Sequence, residues 1–222
     1  VLEKGLKNHS AHTDALDEMV VVLRAAIDRD WHIEWREHHD PGPAVQNLKV
    51  CLGIQQAKKD TNDYAETVAA RLLWLAATLC LDHAFCDTIV GGGLVATAAS
   101  VASTWGHQSK HQNLQILNML DNMSLFGFDV CHQIMEQGGL ELLEAVATAS
   151  EEEAGPRGEV DAIRNPHTRD RCHAVRKQIN KNTKAQKEGK RTVDKSFMKE
   201  YRRERQQSRT EKWLSTQGSP TK

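Results

Sequence analysis

The chain has 222 residues, 39% of them hydrophobic and 27% charged, and a formal net charge of −1. Its uncharged apolar run over residues 72–81 is about half the ~20 residues a membrane span needs, and its five cysteines are an odd set that argues for reduced thiols over a disulfide framework. The near-neutral balance hides an asymmetry: residues 1–150 hold 10 Lys/Arg against 19 Asp/Glu, and residues 151–222 hold 19 against 11.

Residues 1–13 carry no clear pattern and are expected to be irregular. Asp14 can cap a helix, with Asp17 and Glu18 in the turn where carboxylates meet the positive end of the helix dipole. Leu16, Met19, Val20, Leu23 and Ile27 then share a face, which gives a helix over 14–29. Residues 30–38 read as a short helix around Trp31 and Trp35, ended by His38-His39-Asp40-Pro41-Gly42-Pro43. Residues 43–57 are helical with Val45, Leu48, Cys51 and Leu52 inward. Lys58 to Asn62 form a loop, and Thr61 or Asp63 caps a helix over 63–80. Further helices are expected over 83–90, 93–104, 111–124, 127–136 and 139–149. Gly91-Gly92-Gly93 and Gly138-Gly139 mark the tight breaks, because glycine reaches left-handed φ at little cost.

The order of these helices repeats. Thr78 and Asn122 stand 44 residues apart, and the leucines after the two glycine turns, Leu94 and Leu140, stand 46 apart. An all-helical unit of roughly 40–47 residues has the period of a helical solenoid, whose units need neighbours to bury their apolar stripes. Met119-Leu120-Asp121-Asn122-Met123-Ser124, followed by Gly138-Gly139-Leu140, resembles the armadillo repeat; Ala76-Ala77-Thr78-Leu79-Cys80 resembles it more loosely. The resemblance covers about residues 14–150. It implies an all-α armadillo-like solenoid of about three units, built from helices grouped in threes. It also implies that third helices line a groove for an extended peptide, with an Asn such as Asn122 bonding the peptide backbone. In the nuclear-signal adaptors of this type a Trp precedes that Asn by one turn. Here Trp74 is followed by Thr78, and Asn122 is preceded by Asn118, so each unit keeps half of the pair. Asn118 and Asn122 are the candidate groove residues, while Trp74 reads as plain core.

Residues 151–165 form a Glu-, Gly- and Pro-containing linker, and 166–222 a basic extension. Asn165-Pro166 is a good helix start. Beyond it only Val175 and Ile179 keep helical spacing, a weak closing helix for the last unit. From Lys184 onward apolar anchors are few, and such composition orders on a partner. Val193, Phe197 and Tyr201, four apart, are the expected apolar contact. Arg202, Arg203 and Arg205 are expected to face an acidic protein surface or RNA phosphates.

Candidate chemistry is sparse. Cys80, His83 and Cys86 have ligand-type spacing but straddle a helix junction, and His107 and His111 border a loop. Cys131-His132 and Cys172-His173 are sequence neighbours, which point about 100° apart on a helix. The glycine triplet lacks the preceding strand of a dinucleotide fingerprint and the following Lys-Ser/Thr of a phosphate loop. These observations lead to the expectation of a non-catalytic scaffold subunit, without cofactor or metal, that binds protein partners in a larger complex. The alternatives are a nucleic-acid-associated, ribosome-like subunit and, further off, a Cys/His enzyme or nuclear-signal adaptor. The expected location is intracellular, cytoplasmic first, or an organelle after removal of a presequence.

Overall fold

The structure, a computed structural model, describes residues 2–27, 29, 31–107, 109–152 and 165–187. Among these there are eleven helices and no strand. They are α1 (Leu2–His9), α2 (Thr13–Ile27), α3 (Trp31–His38), α4 (Gly42–Ala57), α5 (Ala65–Leu79), α6 (His83–Gly91), α7 (Leu94–Thr104), α8 (Lys110–Ser124), α9 (Phe128–Glu136), α10 (Gly139–Glu152) and α11 (Asn165–Lys187).

Each helix packs against the one three places further along. One row runs α1, α4, α7, α10, and a second runs α2, α5, α8, α11. The third joins α6 to α9 by packing and α3 to α6 through Trp35 stacked on Phe85, with ring centroids 6.0 Å apart. The core is continuous across the rows. Leu48, Leu72, Leu94, Leu117 and Leu120 are buried in one cluster, with Ala69, Ala76 and Ala98 where helices approach closely. Burial of that apolar surface is the dominant favourable term for such a fold.

Side chains tie the helices together as well. The last carbonyls of a helix have no i+4 partner within it, and side-chain donors from elsewhere in the stack reach several of them. Lys49 Nζ donates to Gly92 O at the end of α6 (2.5 Å), Lys59 Nζ to Thr104 O at the end of α7 (2.5 Å), and Gln137 Nε2 to Val90 O (2.7 Å). These ties join residues 43, 45 and 47 apart in sequence. The last step is longer. Asn182 of α11 donates to Ser124 O of α8, 58 residues away, because the stretch around 153–164 intervenes.

Two glycines explain the break before α10. Gly138 has φ +78°, the left-handed region that favours glycine. A Cβ at Gly139 would stand 2.4 Å from Ile134 Cγ2 and 2.8 Å from its carbonyl oxygen. Gly93 performs the matching turn before α7, with φ +75°.

Three sequence expectations are corrected. Residues 2–9, expected to be irregular, are helix α1. One apolar side chain, Leu6, is sunk to 1% exposure, and Asn47 Nδ2 donates to Glu3 O, so tertiary contact makes a helix that local pattern does not announce. Neither Thr61 nor Asp63 caps α5; Asn62 Oδ1 accepts the Tyr64 amide instead. The basic extension does not begin at 166. Residues 165–187 are a helix packed on α8, α9 and α10, burying Cys172, Val175, Ile179 and Asn182. The expected contact residues Val193, Phe197, Tyr201, Arg202, Arg203 and Arg205 lie outside the described residues.

Candidate functional site

The second row of helices carries a groove of about 460 Å³. From α2 come Val20, Val21 and Arg24; from α5 come Thr67, Ala70, Arg71 and Trp74; from α8 come His111 and Gln115. Amphipathic spacing sets this arrangement. In α2, Leu16, Val20, Leu23 and Ile27 are buried, which leaves Val21 and Arg24 on the flank that meets α5. Val21 is 51% exposed, and Leu114, one turn after His111 on α8, is 42% exposed. Large apolar side chains therefore reach the surface on α2, in the groove lining, and on α8.

Trp74 is half-buried. It packs against the core from one side and lines the groove from the other. The Arg24 guanidinium carbon lies 4.4 Å from the indole ring centroid, a cation–π contact that orients both side chains at the mouth. The expectation that Trp74 is plain core thus holds for only part of its surface. Position 24 lies far from 74 in sequence, so no local pattern joins the two.

Beneath the groove, the buried Asp17 carboxylate accepts from the Tyr64 hydroxyl (2.7 Å) and from Arg71 Nη1. That carboxylate, chiefly by accepting the hydrogen bond, pushes the Tyr64 hydroxyl above its usual pKa. Both contacts fall on Asp17 Oδ2, while Oδ1 is buried without a hydrogen-bond partner among the described residues, and the Arg71 side chain is 43% exposed. The described lining residues include no Asp or Glu.

The two asparagines expected in the groove have other tasks. Asn122 is 2% exposed, and its Nδ2 donates to Ala77 O of α5 at 2.5 Å. It is turned inward and ties α8 to α5. Asn118 is half-buried. Its Nδ2 donates to Gln115 Oε1 (3.2 Å), and its Oδ1 accepts from Arg171 of α11 (3.0 Å). Arg171 also pairs with Asp121 at 3.2 Å, so Asn118 belongs to the bridge between α8 and α11.

The cysteines and histidines do not converge. Among the described residues no three of His, Cys, Asp and Glu form a metal-holding group. Cys80 and Cys86 are buried, while His83 is exposed and pairs with Asp87 at 2.8 Å. Burial first, and then the Cys80 hydrogen bond, push the Cys86 thiol well above its usual range. Burial pushes Cys51, Cys131 and Cys172 up to about 11. Thiols so raised are poor nucleophiles near neutral pH. His132 and His173 are exposed beside buried Cys131 and Cys172, which is the divergence that helix geometry imposes on neighbours.

No protein-family profile, no curated protein and no solved structure matches the chain.

Proposed function

We propose that the chain is an armadillo-type solenoid of about three units, and that it acts as a non-catalytic scaffold subunit of a larger assembly. The regular three-place packing of its helices and the 43-to-47-residue offset of the ties between them support the solenoid. The observation that carries the binding role is the groove across α2, α5 and α8, lined by Trp74 and by Val21, which is 51% exposed. Exposed apolar side chains around a concavity are what a partner site requires. Residues 188–222 would anchor the subunit, with Val193, Phe197 and Tyr201 as contacts and Arg202, Arg203 and Arg205 against acidic groups.

A second reading, a nucleic-acid-associated subunit, draws on α11. Its exposed Arg169, Lys177, Lys181 and Lys184 carry the basic character of the C-terminal third onto the folded body. Phosphate neutralisation by such residues needs no sequence recognition.

Size fractionation of native extracts tests both. Because α11 packs in the body, the informative truncation removes 188–222 and keeps 165–187. The intact chain is expected in high-mass fractions, unchanged by nuclease, and the truncated chain in low-mass ones. Migration of the intact chain as a free monomer would refute the scaffold reading, and nuclease release would select the second.

A further inference from the structure

We infer that two copies of this chain pair through the outer face of the first row of helices, about a two-fold axis. The chain is 27% charged, and a helix at a surface normally turns charged residues to water. Yet the 16 residues of α4 and the 11 of α7 include one charged side chain, Lys49, and it donates to Gly92 O within the body. The outward positions are Gln46, Val50, Gly53 and Ala57 on α4, opposite its buried stripe, and Ala96 and Ser103 on α7, all exposed. Val50, in the middle of α4, is 45% exposed. Loss of charge from the centre of a face is the compositional mark of an interface.

Gly53 gives an independent reason. It stands inside α4 with φ outside the left-handed region, and no atom lies within 4 Å of the place a Cβ would take. Glycine inside a helix is less stable than alanine or glutamine, and nothing among the described residues demands it. A second helix laid close across α4 does, because it leaves no room for a side chain.

The two ends of the row carry opposite charge. At one end α1 exposes Lys4 and Lys7. Lys7 lies about 200° round the helix from Gly5, where a Cβ would meet Met19 Sδ of α2 at 2.9 Å. At the other end α10 holds four glutamates and no lysine or arginine, with Glu141 exposed and Glu144 turned to Arg176 of α11. A two-fold axis parallel to the helices, between α4 and α7, lays α4 on α7 of the second copy and α1 on its α10. Lysine then meets glutamate at both ends. The other two-fold arrangement, with its axis along the row, sets α1 on α1 and α10 on α10, like charge on like. The charge order selects the first, and such a contact closes at two copies.

The size suits a reversible dimer. Four helices of about 12–24 Å with axes about 8–10 Å apart make a face of roughly 600 Å². Two such faces bury about 1,200 Å², the low end for a specific pair. Nucleic acid, which binds through cations, finds only Lys49 on α4 and α7.

Sedimentation of the purified full chain over a wide range of concentration tests the pairing. A monomer–dimer equilibrium that stops at two copies is expected. Gly53→Gln should weaken the dimer by roughly tenfold or more by filling the close approach. At dilutions where the parent is monomeric, its thermal midpoint should match or exceed the parent's, because glutamine suits a helix better than glycine. Glu141→Lys, and Lys4→Glu together with Lys7→Glu, should each weaken the dimer by roughly tenfold through like charge. All of these charge changes in one chain exchange the signs at both ends and should restore the parent's dissociation constant. Lys181→Glu, exposed on α11, should leave it unchanged. An unchanged circular dichroism spectrum verifies that each variant folds. A monomer at every concentration, assembly that grows past two copies, a dimer indifferent to Gly53→Gln, or one lost with Lys181→Glu would overturn the pairing. A combined charge variant no tighter than its parts would overturn the two-fold arrangement.

Discussion

Replacing Asn182 by leucine tests whether α11 belongs to the folded body. Asn182 is 3% exposed. Its Nδ2 donates to the carbonyl of Ser124, the last residue of α8, at 2.8 Å and to Phe126 O just beyond it at 3.2 Å. Leucine keeps the volume and removes both donors. A buried acceptor left without its partner costs about 1–3 kcal/mol, so two carbonyls set a range of roughly 2–6 kcal/mol. Both carbonyls also accept from Cys131 Sγ, Phe126 O at 3.4 Å and Ser124 O at 3.7 Å, weak contacts that keep them partly matched and favour the lower end, about 2–3 kcal/mol. For a folded body of this size that corresponds to a fall in Tm of roughly 5–10 °C. Urea unfolding followed by circular dichroism gives the free energy. Lys181→Leu, at the exposed neighbouring position, is the control and should stay within about 0.5 kcal/mol of the parent. Asn182→Leu behaving like that control would refute the packing of α11 on α8.

Four further outcomes are expected. Leu120→Ala, at a position with 0% exposure, should cost about 2–5 kcal/mol in the same assay, and an unchanged midpoint would remove Leu120 from the core. Gln112→Leu should be neutral or stabilising by about 1 kcal/mol, because neither amide atom of this fully buried residue has a hydrogen-bond partner among the described residues; a clear loss would show that the amide has a structural task. The buried thiols should react with Ellman's reagent slowly at pH 8 and fully in denaturant. Since Cys51, Cys131 and Cys172 have folded pKa values raised to about 11, the stability linked to them is fully present below the ordinary thiol range, and it should fall as pH climbs toward 11. Finally, the fold should keep its helicity in chelator, since its core is apolar packing rather than ligation, and stoichiometric zinc lost together with helicity would overturn that.

The sequence disclosed most of the helices because their stripes recur at three and four residues. Leu117 and Leu120 were legible as core, and they are buried. The glycine pairs were legible as breaks, although the division of labour between left-handed Gly138 and close-packed Gly139 needs coordinates. Helix α1 was hidden because a single leucine carries its burial. Helix α11 was read as mostly tail because two of its four buried positions, Cys172 and Asn182, are not large apolar residues; the series 172, 175, 179, 182 is nevertheless helical. Asn122 was correctly singled out by its place in the repeat-like motif, but direction cannot be read from letters. A side chain near the end of α8 turns either to solvent or to the carbonyl of a neighbouring helix, and here it takes the carbonyl. The groove was illegible for a different reason. Arg24, Trp74 and His111 come from three helices, and only their packing makes them neighbours.

The side-chain ties between helices have an evolutionary consequence. Lys49, Lys59, Asn122, Gln137 and Asn182 all donate to main-chain carbonyls near helix ends. A carbonyl is the same acceptor whatever side chain the residue carries. The receiving helix can therefore change its exposed residues without releasing its neighbour, so long as its last turn stays in place. Only the donor and the apolar stripe are constrained at each joint. A chain assembled in this way can drift until its units no longer resemble one another by letter, and still hold every helix in register.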